Sequence, residues 1–572
     1  MLRSDLFKKA TAAILAVMMT AGILAGCSNA ENKEADSTTT AAAKESKEEK
    51  ATTVADDEET KAENSEDAGE AELIRDNIYT SGDQILKDKK SYTIVVAKDP
   101  NAQNGFGDKE VIQAHNEMAN VDIEWMDIPD ASWDEQVNIM ISAGNLPDAF
   151  CGRNIKILMQ NKELFVPIQD MIPVMAPHVQ EMLDEDASIK SAITAPDGNI
   201  YSLPTNKANP SNAVDNMLWI NPEWLEKIDK PIPTTTDEFV EILRLFRDTD
   251  MNENGDLNDE IPFQARQEND YAHNLSAIIG AFDVVLPSDY VYVKDGKNVI
   301  FGGTEPGLFD ALNWLNLLYS EKLLDNETFT MDNSQQVAKA QAEDVLMGSL
   351  IYWIPDSMDM KYEDYVVVPP LKGPNGDQLW YAGGLPLGAN LTGYAITTAC
   401  EDPEVLLRYY DLAMKDLKTI MEFQWGPEGK GLWKQIGEDE WTQTTEFVPE
   451  GTNLTFFKRT IAPSIYGPNF IWSKYAEKEI ADPRNAKKRE AAQNMLQYCA
   501  ETMPKAMYDP ELEASRNLLF TDIDNYMKQF IATSVVNGLT DAQWEDHMKN
   551  CEKLRTEEYR SVWQDCYDSV KG

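Results

Sequence analysis

The chain has 572 residues, with 98 Asp and Glu against 51 Lys and Arg and a formal net charge of −47. That balance excludes DNA, RNA and anionic membrane surfaces as partners, because phosphate binding depends on clustered Lys and Arg. The length allows two or three domains, and 42% hydrophobic residues can build a large core. Besides Cys27 there are five cysteines, Cys151, Cys400, Cys499, Cys551 and Cys566, with no Cys-x-x-Cys, and the four histidines are scattered. Clustered zinc or redox chemistry is therefore not expected. No later segment holds 18 uninterrupted apolar residues, so no internal membrane span is expected.

The N-terminus opens with Arg3, Lys8 and Lys9, followed by an apolar run from Ala12 to Ala25 that ends in Leu24-Ala-Gly-Cys27. The run is short for a spanning helix, which needs about 20 apolar residues, and has the layout of a secretory signal. Leu-Ala-Gly-Cys resembles the lipobox of bacterial lipoproteins, which implies cleavage before Cys27 and a diacylglycerol on its sulfur. Residues 1–26 are then a signal peptide, and the chain sits at the outer face of the bacterial cytoplasmic membrane. From Ser28 to Arg75 acidic residues outnumber basic ones 15 to 6 with almost no large apolar side chain. Such a segment cannot bury enough surface to offset its ordering entropy. Residues 27–87 are expected to form a disordered acidic linker, about 40 Å end to end as a coil of about 50 residues.

The body begins with Ser91–Ala97, a β-rich apolar run expected to be the first buried strand. A polar loop, Asp99–Asp108, leads to a helical pattern from Glu110 to Asn120. Val121–Met126 reads as a second strand, Trp133–Ala143 as a helix and Asp148–Phe150 as a short third strand. Strands alternating with helices imply a parallel sheet covered on both faces, in which ligands bind beyond the carboxyl ends of the strands. The loops 99–108 and 151–154 are thus candidate ligand loops. Asp197–Pro204 is a turn followed by a strand, and Met217–Asn221 is another strand with Pro222 opening a helix. Thr235-Thr-Asp-Glu238 is a capping box, after which Phe239, Ile242, Leu243 and Phe246 line one helical face.

That helix runs into Asp250-Met-Asn252-Glu-Asn254-Gly255-Asp256-Leu-Asn258-Asp259-Glu260. Oxygen-bearing side chains stand at nearly every second place, and Gly255 is sixth, where an EF-hand loop turns sharply. The run suits Ca²⁺, with Asp250, Asn252, Asn254 and the Asp256 carbonyl as the first four ligands. The twelfth position is Ile261 rather than a bidentate glutamate. Asp259 or Glu260, with or without Asn258, closes the sphere. No exiting helix follows Pro262, so a structural calcium is expected rather than a switch.

Five pieces together resemble the extracellular solute-binding proteins of carbohydrate ABC importers, in the large branch of alginate-oligosaccharide binders. They are the lipobox, Trp133 with Ser142–Phe150, Asp197–Pro204, Thr235–Phe239 and the 250–262 loop. The calcium loop departs from the usual spacing, its Asp-Glu pair standing one residue later. The resemblance implies an α/β chain of two lobes of the type II periplasmic-binding-protein kind, each a sheet flanked by helices. It places lobe 1 near 88–205 and 392–470 and lobe 2 near 206–391 and 471–572. It implies capture of an oligosaccharide between the lobes, closure about a hinge and delivery to separate ABC permease subunits.

Sugars present apolar faces and hydroxyl rims, so their binders pair aromatic rings with polar groups. Rings in loops are the expected platforms: Tyr352, Trp353, Trp380, Tyr381, Trp425, Tyr466 and Trp472. Asn104, Arg153, Asn206 and Lys207 are polar candidates from the strand-end loops. Trp219, Trp224 and Trp314 fall in apolar patterns and are expected in the core. A lipid-anchored glycan hydrolase or lyase is the rival reading, needing two carboxylates across a cleft. No Gly-x-Ser-x-Gly, His-Glu-x-x-His or phosphate-loop motif occurs. A surface adhesin is the third reading, and no repeat supports it.

Overall fold

The computed structural model describes residues 73–75, 77–207, 214, 216–267, 275–352, 364–381, 389–480 and 483–571. Cys27, the signal peptide and residues 27–72 of the expected linker lie outside these residues, as does Trp353, and of Lys207 only the backbone is described. The end of the expected linker is not disordered: Ile78, Ile85 and Leu86 are buried apolar side chains, so the folded body begins before residue 88. The chain divides into a unit over Met1–Asp67 and a second over Ala68–Gly572. All that follows concerns the second.

Two sheets organise it. The first contains β1 (Ser91–Lys98), β2 (Asp122–Pro129), β3 (Ala149–Cys151) and β4 (Leu203–Lys207). The second contains β5 (Met217–Ile220), β6 (Ile261–Gln264), β7 (Met347–Tyr352) and β8 (Val366–Val368). The chain then returns to the first sheet with β9 (Ala389–Ile396) and β10 (Phe470–Ile471). The strand orders are β10-β4-β9-β3-β1-β2 and β8-β5-β7-β6. β1 pairs in parallel with both β2 and β3, with Ser91 opposite Asp122 and Ile94 opposite Ala149. β9 runs antiparallel between β3 and β4, setting Tyr394 opposite both Cys151 and Leu203.

The apolar run read as the first strand is buried on both faces: Ile94, Val95, Val96 and Ala97 are all wholly enclosed. A central strand of a parallel sheet is expected to be continuously apolar for that reason, each large aliphatic side chain contributing about 1.5–3 kcal/mol on burial. Helices Glu110–Ala119 and Trp133–Ala143 follow β1 and β2 as crossovers. Each ends on a left-handed residue, Asn120 and Gly144, whose backbone N–H closes onto the last carbonyls.

Two cores result. One gathers apolar residues over 78–203 and 394–476, with Met507 joining it. The other gathers residues over 214–380 and 492–567. Trp219 and Trp224 are enclosed in the second core, and Trp314 packs half-buried against it. The main-chain path passes between the cores after β4, before β9 and after β10. Three helices close the chain, Pro510–Asn537, Asp541–Lys553 and Thr556–Lys571. Cys151, Cys400, Cys551 and Cys566 are buried free thiols, and burial pushes Cys551 up to about 12, which leaves it unreactive. Among the described residues no helix is long and apolar enough to cross a membrane.

Candidate functional site between the two lobes

The carboxyl ends of β1 and β3 carry a charged network around one ring. Tyr466 is 4% exposed and lies between two guanidinium groups, Arg153 at 5.5 Å and Arg459 at 5.9 Å from its centroid. Arg153 grips Asp130 with a two-pronged fork, both N–H···O distances being 2.5 Å. Arg459 reaches Asp99 at 2.9 Å. Lys109 donates to the carbonyls of Arg459 and Thr460 and, at 3.4 Å, to Asn104. Burial pushes the Lys109 ammonium down to about 8. Backbone proximity sets this ring: Gly152 has φ +103°, and a Cβ there would stand 3.0 Å from the Tyr466 carbonyl. Only glycine accepts both that conformation and that approach.

Beside this network opens a cavity of about 560 Å³, within the range of small-molecule sites. Its walls come from both cores. The side of the first core supplies Asn154–Lys156, Leu158 and Met159, with Thr392 of β9; the side of the second supplies Pro287–Asp289. Tyr381 and the segment Thr502–Tyr508, whose Met507 packs in the first core, lie between. Arg516 and Trp563 of the C-terminal helices complete it. The Arg516 guanidinium lies 4.6 Å over the Trp563 ring, and Tyr508 meets that ring edge-on at 5.9 Å. Thr392 and Asn154 bond to one another across the lobe 1 wall at 3.1 and 3.2 Å. Gln160 reaches across to Glu513 at 3.5 Å.

Two carboxyls in this wall are driven toward the neutral form. Burial pushes Asp289 up to about 6 and also raises Glu513. A carboxyl raised in the folded state binds protons that the unfolded chain has already released, so its contribution is present at low pH and lost as pH rises through about 6. Between pH 5 and pH 7 the wild-type protein should lose about 1 kcal/mol more stability than Asp289→Asn. Denaturant unfolding at the two pH values measures this; equal slopes would remove the assignment.

The residues singled out in the sequence fall in different places. Asn104, Arg153 and Tyr466 meet in the strand-end network, and Tyr381 lines the cavity, 7% exposed. Asn206 stands in β4 with φ +77°, opposite Ala389 and Phe470. Trp380 is 1% exposed, and its indole N–H donates to the Asn216 carbonyl at 2.9 Å. Tyr352 ends β7 among second-core residues. Trp425 is 8% exposed beneath the Lys458 ammonium, 3.4 Å from its centroid. Trp472 is 2% exposed against Tyr475. Tyr508, Arg516 and Trp563 were not anticipated. The helix carrying Arg516 buries Leu519, Ile523 and Met527 but exposes Leu518 and Val536, which blurs its periodicity.

The 250–260 loop folds on itself as an oxygen-lined turn. Gly255, at φ +91°, donates its N–H to Asp250 Oδ2 at 3.0 Å. Asn252 and Asn254 both donate to Asp259 Oδ2, and Glu260 accepts from the Met251 N–H at 2.8 Å. Asp256 accepts from the Asn258 N–H at 3.0 Å. The second oxygens of Asp250, Asp259 and Glu260 are buried without a partner. Burial first, then the charges of Asp259 and Asp250, raises Glu260. Among the described residues no three His, Cys, Asp or Glu side chains are gathered tightly enough to hold a metal ion by themselves. The loop instead mixes carboxylates with carboxamide and main-chain oxygens, the donor set that Ca²⁺ takes.

The fold agrees with that of known proteins. FusA, the fructooligosaccharide ABC transporter substrate-binding protein of Streptococcus pneumoniae serotype 4, is 27% identical over 504 residues, covering 85% of this chain and 92% of FusA. The structure of S. pneumoniae FusA in complex with kestose superposes with a TM-score of 0.74 at 23% identity, covering 84% of this chain and 99% of FusA. An EF-hand mutant of FusA, in complex with fructo-nystose, matches equally. The HMO-binding solute-binding protein of Bifidobacterium longum infantis has a TM-score of 0.74 at 19% identity, with 84% and 99% covered. The alginate-binding protein AlgQ2 without calcium ion gives 0.66 at 18% identity, with 85% and 99% covered. A family profile described as bacterial extracellular solute-binding protein matches residues 107–415, more than half the length. The chain therefore belongs to the bacterial extracellular solute-binding proteins.

Proposed function

We propose that the protein captures a carbohydrate, an oligosaccharide, between its two lobes and hands it unaltered to an ABC permease. The observation that carries this reading is the cavity of about 560 Å³ walled by residues of both cores. It is supported by the sugar ligands of FusA and the Bifidobacterium protein. Tyr381, Trp563 and Tyr508 supply apolar faces, while Asn154, Thr392 and Asn517 supply hydroxyl partners. Arg153, Asn104 and Tyr466 extend the polar floor, and Trp353, Asn206 and Lys207 join them on sequence grounds. No step of covalent chemistry is needed, so the protein acts as a binder rather than an enzyme. Lobe 1 spans about 88–205 and 392–470, lobe 2 about 206–391 and 471–572, and closure about the three crossings traps the solute.

Cys27, as the lipidated first residue of the mature chain, holds it at the outer face of the cytoplasmic membrane. Asp250, Asn252, Asn254, Asp256 and Asp259 with Glu260 hold a structural Ca²⁺, which would satisfy the partnerless carboxylate oxygens. Asn258 positions Asp256.

A thermal-shift screen over oligosaccharides, with mass spectrometry of the recovered sugar, tests the reading. At least one oligosaccharide should raise the melting temperature and return intact. No stabilisation by any, or a shortened product, would sink it. With the stabilising sugar in hand, Tyr381→Ala should weaken binding about tenfold, or about 1.4 kcal/mol, as read by isothermal titration.

A further inference from the structure

We infer that the site between the lobes takes neutral oligosaccharides and rejects those carrying uronic or other anionic groups. The inference rests on the carbohydrate reading above and names the class of sugar. An anionic sugar gives up hydration on entering a closed gap, and it needs a cation there to replace it. Arg is the residue suited to that task, through a two-pronged grip on a carboxylate.

Among the described side chains, the cations facing this region are already taken. Arg153 spends its fork on both oxygens of Asp130, at 2.5 Å each. Arg459 is held by Asp99 at 2.9 Å, Lys98 by Asp127 at 3.4 Å and Lys156 by Asp134 at 2.6 Å. Lys109 is turned onto two main-chain carbonyls. Arg516 stands over the Trp563 ring, its Cζ 4.6 Å from the centroid, with Glu513 3.9 Å from its Nη2. Lys505, also in the cavity wall, has a partner of its own.

A uronate displacing one of these carboxylates would exchange one ion pair for another and leave the displaced Asp or Glu beside a second negative charge. Partly exposed pairs of this kind contribute only about 0–1 kcal/mol, so the exchange gains nothing and adds repulsion. Asp289 and Glu513 in the cavity wall, whose neutral forms burial favours, bring no positive charge to replace the lost hydration. A neutral sugar meets none of this. Its hydroxyls find Asn154, Thr392 and Asn517, and its C–H faces find Tyr381 and Met503.

Isothermal titration with two sets of oligosaccharides tests the inference. One set is neutral fructo-, gluco- and galacto-oligosaccharides; the other is galacturonate and alginate oligomers of the same length. At least one neutral sugar should bind, and every uronic oligomer should bind at least 100-fold more weakly. Uronic binding as tight as the best neutral sugar would overturn the charge argument while leaving carbohydrate capture intact. Binding by neither set would overturn the carbohydrate reading and this inference with it. Asp130→Asn loosens the fork of Arg153 and should strengthen uronic binding about tenfold over wild type. No gain, with the variant folded by circular dichroism, would contradict the assignment of Arg153 as already occupied.

Discussion

Replacing Trp380 with alanine lowers the unfolding free energy by about 3–5 kcal/mol and leaves the affinity of the folded protein for its ligand within about twofold. The indole is fully enclosed in the second core, and its N–H is satisfied by the Asn216 carbonyl. Its main chain ties two distant segments: Trp380 N–H donates to Tyr498 O at 2.8 Å, and its own carbonyl accepts from Ala500 N–H at 2.9 Å. Truncation leaves a cavity that these main-chain anchors prevent from collapsing, so the loss falls at the upper end of the range. Chemical denaturation and titration on one preparation separate the two effects. A variant of unchanged stability that no longer binds sugar would place the Trp380 ring on the ligand instead.

Removing calcium lowers the melting temperature by about 5 °C, and adding calcium back restores it. The chain places Asp250, Asp259 and Glu260 in one turn with an oxygen of each buried and partnerless. A buried carboxylate without a partner is costly, and the cost is raised by mutual repulsion at Glu260. A bound cation present at 100 times its dissociation constant contributes about 2.7 kcal/mol. Spread over a lobe of a few hundred residues, this amounts to the shift stated. Magnesium should restore less, because it demands a near-ideal octahedral set and sheds water reluctantly. Asp259→Ala should remove the response to chelator. A melting temperature indifferent to both chelator and calcium would remove the metal from the account.

Local features of this fold are legible in the chain because local chemistry sets them. The stretch Ile94–Ala97 is continuously apolar since β1 is buried on both faces there, and the strand extends from Ser91 to Lys98. The box Thr235–Glu238 caps its helix as expected, with both reciprocal hydrogen bonds present. The helix Trp133–Ala143 has the bounds expected of it and buries Trp133, Val137 and Ile141 at helical spacing. The positions of the rings are not legible in this way. Trp380 and Trp472 sit in short connections and Trp425 ends the helix Leu417–Trp425, next to Gly426, so all three resemble loop residues, yet long-range packing draws them inside. Whether an indole N–H meets a carbonyl or water depends on segments more than a hundred residues away, as Trp380 and Asn216 show. The wall formed by Tyr508, Arg516 and Trp563 is hidden for a related reason. These residues are brought to the cavity by the packing of the C-terminal helices, not by any spacing among them.

Hydrogen exchange with and without the stabilising oligosaccharide tests capture between the lobes most directly. Binding should slow exchange together in Asn154–Met159 of lobe 1 and Thr502–Tyr508 of lobe 2, the two facing walls of the cavity. Protection confined to one wall, or found only elsewhere, would contradict it.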